Sequence, residues 1–227
     1  TIAGCCKGSG MIAPDMATML AFVTTDAGLP VAPLRQLLAS VAEGTFNRVT
    51  VDECQSTSDT VAVLGSGLAA KLAPRDLGKF RGALFNVCDS LAYQLAADGE
   101  GATRVIEVEV RGAQTPADAH AAARAVAVSP LVKTAVHGGD PNWGRIVQAI
   151  GATGVHYEPQ RVVVRLGGTV LFRNGAPAPG LDLKKLSKHM QPPLVKIEID
   201  LGEGRNCREI RGGFSDRVRT CDLSRDY

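Results

Sequence analysis

Few residues of this sequence have the type and setting for chemistry. Thr18 follows the small residue Ala17 and lies between a glycine-rich stretch and an apolar run, where a hydroxyl can serve as a nucleophile. Threonine is also common in ordinary strands, so residue type alone favours a structural role. Lys7 and Glu100 each lie beside glycines, where a charged side chain either contacts a ligand or faces solvent.

The cysteines and histidines are not spaced like metal ligands. The six cysteines include no Cys-x-x-Cys pair, and no two of the four histidines are four residues apart. Tetrahedral zinc needs clustered ligands, so we expect no metal site and predict reduced thiols, as in a cytoplasmic protein.

The block Asp140-Pro141-Asn142-Trp143-Gly144-Arg145 also has catalytic residue types. An aspartate before proline at a helix start is typical of an N-cap, and an arginine one turn later is typical of an ion-pair partner. We therefore interpret Asp140 and Arg145 as part of a folding signature. We assign Thr24 and Asp26, close behind the apolar run, to structure in the same way.

Hydrophobic periodicity supplies the elements that must position these residues. In the first hundred residues it predicts strands over 19–23 and 60–64 and helices over 33–43 and 76–97. Further on it predicts helices over 116–126, from the block 140–143 to about 150, and over 182–189, and strands over 105–110, 133–136, 161–166, 169–172 and 195–201. In the strand over 105–110, Val105, Glu107 and Glu109 alternate with the apolar side. Interleaved strands and helices predict an α/β or α+β fold.

Composition excludes several classes of partner. The chain is 45% hydrophobic with a net charge of +2, and no uncharged run is long enough to span a bilayer. We expect neither a nucleic acid nor a membrane as partner, and the first residues lack the features of a secretory signal. Residues 205–227 hold six arginines and no lysine. One Arg-Gly-Gly-Phe tetrapeptide is a weak RNA-binding signal, so we predict an atypical surface tail.

The segment from Lys7 to Leu20 resembles the self-processing site of the ornithine acetyltransferases, also called bifunctional glutamate N-acetyltransferases, of arginine biosynthesis. The resemblance rests on Lys-Gly-Ser-Gly-Met-Ile-Ala-Pro followed by Met-Ala-Thr-Met-Leu. Further blocks fit in order: Thr50-Val51-Asp52, Ser56-Thr57-Ser58-Asp59-Thr60-Val61, Asp98-Gly99-Glu100-Gly101-Ala102-Thr103, the block from Asp140 to Arg145, and Cys221-Asp222-Leu223-Ser224. Ser58 stands where the family has asparagine, which leaves the role of Asp59 open.

The resemblance implies a chemistry for Thr18. Its hydroxyl attacks the Ala17 carbonyl, the peptide becomes an ester, and water releases a new N-terminal threonine whose amine serves as general base. An acetyl group then passes from N-acetylornithine to Thr18 and on to glutamate in a ping-pong cycle. Lys7 matches a residue that contacts the substrate carboxylate, and Glu100 matches one that contacts an amino group. No metal or cofactor is implied, and acetyl-CoA is a candidate second donor.

The resemblance also implies an organisation. Residues 1–17 would end an N-terminal α-chain segment, 18–103 would form the nucleophile-bearing α/β domain, 104–203 a smaller C-terminal α/β domain, and 204–227 the tail. The fold would be the layered one of self-processing N-terminal-threonine acyltransferases. Cleaved α/β pairs assemble as heterotetramers, and the missing α-chain half supplies the oxyanion hole.

Two other interpretations stay open. One is a self-cleaving aminopeptidase or amidase of similar fold, in which water replaces glutamate as acyl acceptor. The other is an inactive truncated fragment of the transferase, because both ends of the sequence depart from the family pattern.

Overall fold

Two sheets with flanking helices make up the protein, in a computed structural model that describes residues 1–13, 19–55, 57–69, 71–202 and 213–227. The chain divides into two units, Thr1–Glu100 and the longer Gly101–Tyr227. Each unit combines strands with helices, which confirms the predicted α/β class.

The first unit is built on a three-stranded sheet in the order β1-β2-β3. Its elements are β1 (Ile2–Lys7), β2 (Leu20–Thr25), α1 (Val31–Gly44), β3 (Thr60–Gly65) and α2 (Leu77–Ala97). The central strand β2 is antiparallel to β1 and parallel to β3. The end of β1 therefore lies at the same edge of the sheet as the beginnings of β2 and β3.

The helix α2 packs its apolar side closely on the strand β1. A Cβ added to Gly4 would lie 3.0 Å from Cδ1 of Leu91, so a larger residue there would crowd the helix. Leu84, Cys88 and Leu95 of α2 are buried. The helices α1 and α2 both occur where hydrophobic periodicity placed them.

The second unit is built on a six-stranded sheet in the order β7-β6-β5-β8-β4-β9. Its elements are β4 (Val105–Ala113), α3 (Pro116–Val128), α4 (Pro130–His137), α5 (Trp143–Gly151), β5 (Val163–Leu166), β6 (Thr169–Arg173), β7 (Ala176–Pro177), α6 (Leu183–Lys188), β8 (Leu194–Asp200) and β9 (Phe214–Cys221). The strand β4 is parallel to β8 and antiparallel to β9. Its core includes Ile106, Val108, Ala122, Val126 and Ile197.

The predicted strand over residues 133–136 is wrong, because these residues belong to the helix α4. The Ser129 side chain caps that helix by accepting from the N–H of Val132, and Pro130 occupies its first turn. Val132, Ala135 and Val136 are then buried at helical spacing. So short a segment fits either a strand or a helix, and the cap at Ser129 decides it.

The predicted surface tail is wrong for residues 214–221, which form the edge strand β9. Residues 203–212 lie outside the described residues, and with them the first two residues of the Arg-Gly-Gly-Phe tetrapeptide. The Nε of Arg219 lies 2.9 Å from the Glu107 carboxylate and Arg217 lies 3.7 Å from it. These two arginines are thus partners of a buried acid.

Glu107 also departs from the predicted alternation, because it is buried although it lies on the polar side of β4. Burial by itself raises the pKa of Glu107. Hydrogen bonding and charge from Arg219, and the charges of Arg217 and Lys196, outweigh burial and hold the pKa below its usual value. Three neighbouring cations therefore keep this acid ionised within the sheet.

Asp222 joins the two ends of the second unit. Its carboxylate, fully shielded from solvent, accepts from the N–H and hydroxyl of Thr103, the N–H of Arg104 and Nδ1 of His137. The N–H of Asp222 in turn donates to the Arg104 carbonyl at 3.0 Å. The residues that open and close this unit are thereby bound together.

Replacing Asp222→Asn should destabilise the protein by about 2–3 kcal/mol at neutral pH, because charge-assisted hydrogen bonds inside the unit are weakened. Burial alone raises the pKa of Asp222, but the bonds from Thr103, His137 and Arg104 outweigh burial and hold the pKa below its usual value. The stabilising charge is therefore complete above the unfolded-state pKa and disappears as pH falls through the lower folded-state pKa. Urea unfolding across pH 2–7 should show the two proteins converging towards acid.

Asp226→Asn is the matched control, since Asp226 is exposed in the same terminal segment. Equal stability of wild type and Asp222→Asn at pH 7 would contradict this role for Asp222.

Candidate active site

One edge of the three-stranded sheet brings together the ends of three strands. Leu20, the first residue of β2, pairs with Lys7 at the end of β1 and with Thr60 at the beginning of β3. Ala17 and Thr18 lie outside the described residues, and Thr18 precedes β2 by two positions in the sequence. The strand that follows the candidate nucleophile is therefore the central one, with Lys7 on one neighbouring strand.

Lys7 borders an open cavity of about 380 Å³. The cavity is lined by Cys6, Lys7, Gly8, Gln94, Leu95, Ala97 and Asp98. Burial, and then the nearby Cys5 and Asp98, raise the pKa of the Cys6 thiol. Cys6 thus stays protonated at neutral pH and is a poor nucleophile, whereas the exposed Lys7 ammonium is available to an anionic group.

The loop after β1 contacts Glu100 directly. The N–H of Glu100 donates to the Ser9 carbonyl at 2.9 Å. A Cβ built on Gly10 would lie 2.9 Å from Oε2 of Glu100, so the carboxylate lies directly beside the Gly10 backbone. Glu100 is thus bound to Ser9, two residues after Lys7. The structure therefore places both predicted site residues beside the loop that begins at Gly8.

Asp52 fixes the same loop from the other side. Its Oδ1 accepts from the N–H of Ile12 at 3.0 Å, and its Oδ2 accepts from the N–H of Met11. Met11 has φ 57°, a left-handed conformation that an ordinary residue adopts only when neighbours hold it. The sequence contained Asp52 in a block resembling the family, but nothing local indicated that it binds residues 40 positions earlier.

Asp59 binds the backbone that leads into β2. Its Oδ1 accepts from the N–H of Met19 at 2.8 Å, and the N–H of Thr60 donates to the Met19 carbonyl at 3.0 Å. Its Oδ2 is buried and has no hydrogen-bond partner among the described residues. Burial raises the pKa of the Asp59 carboxyl, and the Met19 N–H only partly offsets that rise.

Asp140 and Arg145 belong to the second unit and act in its folding. The helix α5 is capped by Asn142, whose side chain accepts from the N–H of Arg145, so the prediction of Asp140 as the cap is wrong. Arg145 donates to the Leu131 carbonyl at 2.7 Å and joins α5 to α4, where an ion pair was predicted. Among the described residues, no three His, Cys, Asp or Glu side chains lie close enough together to hold a metal ion.

The comparisons with known proteins agree along the whole chain. The profile of the ArgJ family matches residues 1–227. This chain belongs to the ArgJ family. It is 44% identical over 235 residues to the arginine biosynthesis bifunctional protein ArgJ of Bradyrhizobium diazoefficiens, covering 100% of this chain and 55% of that protein. It is also 44% identical over 231 residues to the protein of the same name from Geobacillus kaustophilus, covering 100% and 54%.

A crystal structure supports the fold of this ArgJ-family chain. The arginine biosynthesis bifunctional protein ArgJ of Bacillus halodurans superposes with a TM-score of 0.83 at 38% identity, covering 91% of this chain and 95% of that chain. The chain spans about half the length of the curated relatives it matches. No helix in the described part of the chain has the length and apolar character needed to cross a membrane.

Asp52→Ala should destabilise the first unit of this ArgJ-family chain by about 2 kcal/mol, because the N–H groups of Met11 and Ile12 lose their acceptor. Denaturant unfolding measures the loss, and amide hydrogen exchange at Met11 and Ile12 should accelerate. Lys79→Ala, an exposed change in the same unit, should stay within about 0.5 kcal/mol of wild type. Unchanged exchange at both amides would show that Asp52 does not hold the loop.

Proposed function

We propose that this chain, within its complete protein, transfers an acetyl group from N-acetylornithine to glutamate. In this proposal Thr18 is freed by cleavage after Ala17, accepts the acetyl group from the donor as an ester, and passes it to glutamate in a ping-pong cycle. Membership of the ArgJ family carries the proposal, since the relatives are named arginine biosynthesis bifunctional proteins. The cycle as proposed uses no metal or organic cofactor.

The geometry at the sheet edge supports the roles of Lys7 and Glu100. Substrate and product are amino acids, so the site must recognise carboxylates and amino groups. The Lys7 ammonium suits a carboxylate and the Glu100 carboxylate suits an amino group, while the loop of residues 8–10 joins them. Gly10, beside the Glu100 carboxylate, has no side chain, so a ligand bound to Glu100 can approach the backbone closely.

Thr18 suits both steps as proposed. In the uncut chain its hydroxyl attacks the carbonyl carbon of Ala17, a small residue that leaves this carbon accessible. After cleavage its α-amine, with an ordinary pKa near 8, serves as a base beside the hydroxyl. An N-terminal nucleophile of this kind needs no separate histidine.

The remaining parts of the proposal concern the whole protein. An α-chain segment would supply the groups that stabilise the oxyanion, and two cleaved α/β pairs would assemble as a heterotetramer in the cytoplasm. The coverage of about half of each relative is consistent with that division. A bifunctional enzyme would also accept acetyl-CoA as acetyl donor for glutamate.

Thr18→Ala should abolish self-cleavage in the complete gene product. Mass spectrometry of the wild type should show a species beginning at Thr18, and the variant should stay intact because it has no hydroxyl to attack Ala17. Thr24→Ala removes a hydroxyl that bonds the Ala3 carbonyl across β1 and β2, and should cleave like wild type. A wild type that stays uncut, or a cut Thr18→Ala variant, would contradict the proposal and favour the inactive-fragment interpretation.

Acetyl-labelled N-acetylornithine should give labelled N-acetylglutamate only when glutamate is present. Double-reciprocal plots at several glutamate concentrations should be parallel, and a peptide carrying acetyl-Thr18 should accumulate without acceptor. Release of free acetate at the same rate with and without glutamate would instead identify a hydrolase. Labelled acetyl-CoA in place of N-acetylornithine measures the second donor separately.

A further inference from the structure

Asp59 and Thr60 hold Met19 by both of its backbone polar groups. Oδ1 of Asp59 accepts from the Met19 N–H at 2.8 Å, and the Met19 carbonyl accepts from Thr60 at 3.0 Å. The Met19 side chain is buried, only 4% exposed. Residue 19 therefore has a fixed position, and it is bonded directly to residue 18.

The second oxygen of Asp59 is unusual. It is buried without a hydrogen-bond partner among the described residues, although native proteins pair nearly all such atoms. No ion pair involving Asp59 is found in the described part of the chain either. Burial raises the pKa of this carboxyl above that of an ordinary aspartate. A carboxylate of this kind accepts a proton more readily than a solvated one.

Self-cleavage needs a base that the uncut chain does not obtain from Thr18 itself. Before cleavage the Thr18 nitrogen is an amide, which is not basic, so the α-amine that serves later cycles does not yet exist. Some other group must accept the hydroxyl proton during the first reaction. Asp59 is a carboxylate already bound to the next residue of the chain, with one oxygen unused.

Resting on the proposed function, we propose that Asp59 is the proton acceptor of self-cleavage at Thr18. The Thr18 hydroxyl proton moves to Oδ2 while the hydroxyl oxygen bonds to the Ala17 carbonyl carbon. The bond from that carbon to the Thr18 nitrogen then breaks, and the nitrogen takes the proton back from Asp59. Water finally hydrolyses the ester, leaving a carboxylate on Ala17 and the free hydroxyl and amine on Thr18.

Asp59→Asn separates this role from a structural one. The amide oxygen of asparagine can still accept from the Met19 N–H, but the side chain no longer accepts a proton. Cleavage of the complete gene product, followed by mass spectrometry after synthesis is stopped, should slow by about 10²–10⁴-fold, with little change in melting temperature. Asp182→Asn is the matched control, because Asp182 accepts from the Lys185 N–H at a helix cap where asparagine serves equally well.

A pre-cut form gives the decisive second measurement. When the protein is produced as two pieces, ending at Ala17 and beginning at Thr18, the α-amine exists from the start. Asp59→Asn should then transfer acetyl groups at a rate within about threefold of the pre-cut wild type, since the α-amine takes over as base.

Two results would overturn the role of Asp59: Asp59→Asn cleaving at the wild-type rate, or the pre-cut variant losing transfer as completely as the uncut one loses cleavage. The second result, with a lowered melting temperature, would assign Asp59 to structure alone. Cleavage that still needs Thr18 but not Asp59 removes this inference and leaves the proposed function intact. Cleavage that does not need Thr18 removes both.

Discussion

The hydrogen bonding of β2 between two neighbours of opposite direction is the constraint on which the candidate site depends. An antiparallel β1 and a parallel β3 bring a strand end and two strand beginnings to one edge. A shift of β2 by one residue would move Ala21 and Val23 from the buried face of the sheet to the exposed face. Burial of those residues thus fixes where the chain before Leu20 must enter the sheet.

The hydrogen bonds described around this edge are made to backbone groups. Asp52 binds the N–H groups of Met11 and Ile12, Asp59 binds that of Met19, and Ser9 accepts from Glu100. Carboxylates suit this task because each offers two strong acceptor oxygens. Backbone N–H groups at the end of a strand have no partner in a neighbouring strand and can donate to them. The loop that follows Lys7 is thus held by hydrogen bonds to its backbone.

The sequence predicted what depends on local spacing and missed what depends on distant pairing. Periodicity was sufficient for α1 and α2, whose apolar residues repeat over several turns. Residues 133–136 were assigned wrongly because so short a segment fits a strand or a helix until the cap at Ser129 is known.

The same limit applies to the candidate site. The resemblance to the family identified Lys7 and Glu100 as candidate site residues. The fold shows that Glu100 is hydrogen bonded to Ser9, in the loop that directly follows Lys7. The contacts of Asp52 and Asp59 arise only when the strands pair, since each reaches a residue about 40 positions away in sequence. The ion pair of Glu107 likewise arises only when β9 brings Arg219 beside it from 112 positions away.

The place of β9 has a consequence for how the chain folds during synthesis. The strand β4 is the first of its unit to leave the ribosome, and its partner β9 is the last of the six-stranded sheet. Until Arg217 and Arg219 emerge, Glu107 lacks two of the cations that compensate its burial. Pairing over so long a separation is slow, so the nascent sheet spends translation with an unprotected edge at β4. The two arginines therefore reach Glu107 only after the last strand of the sheet has been made.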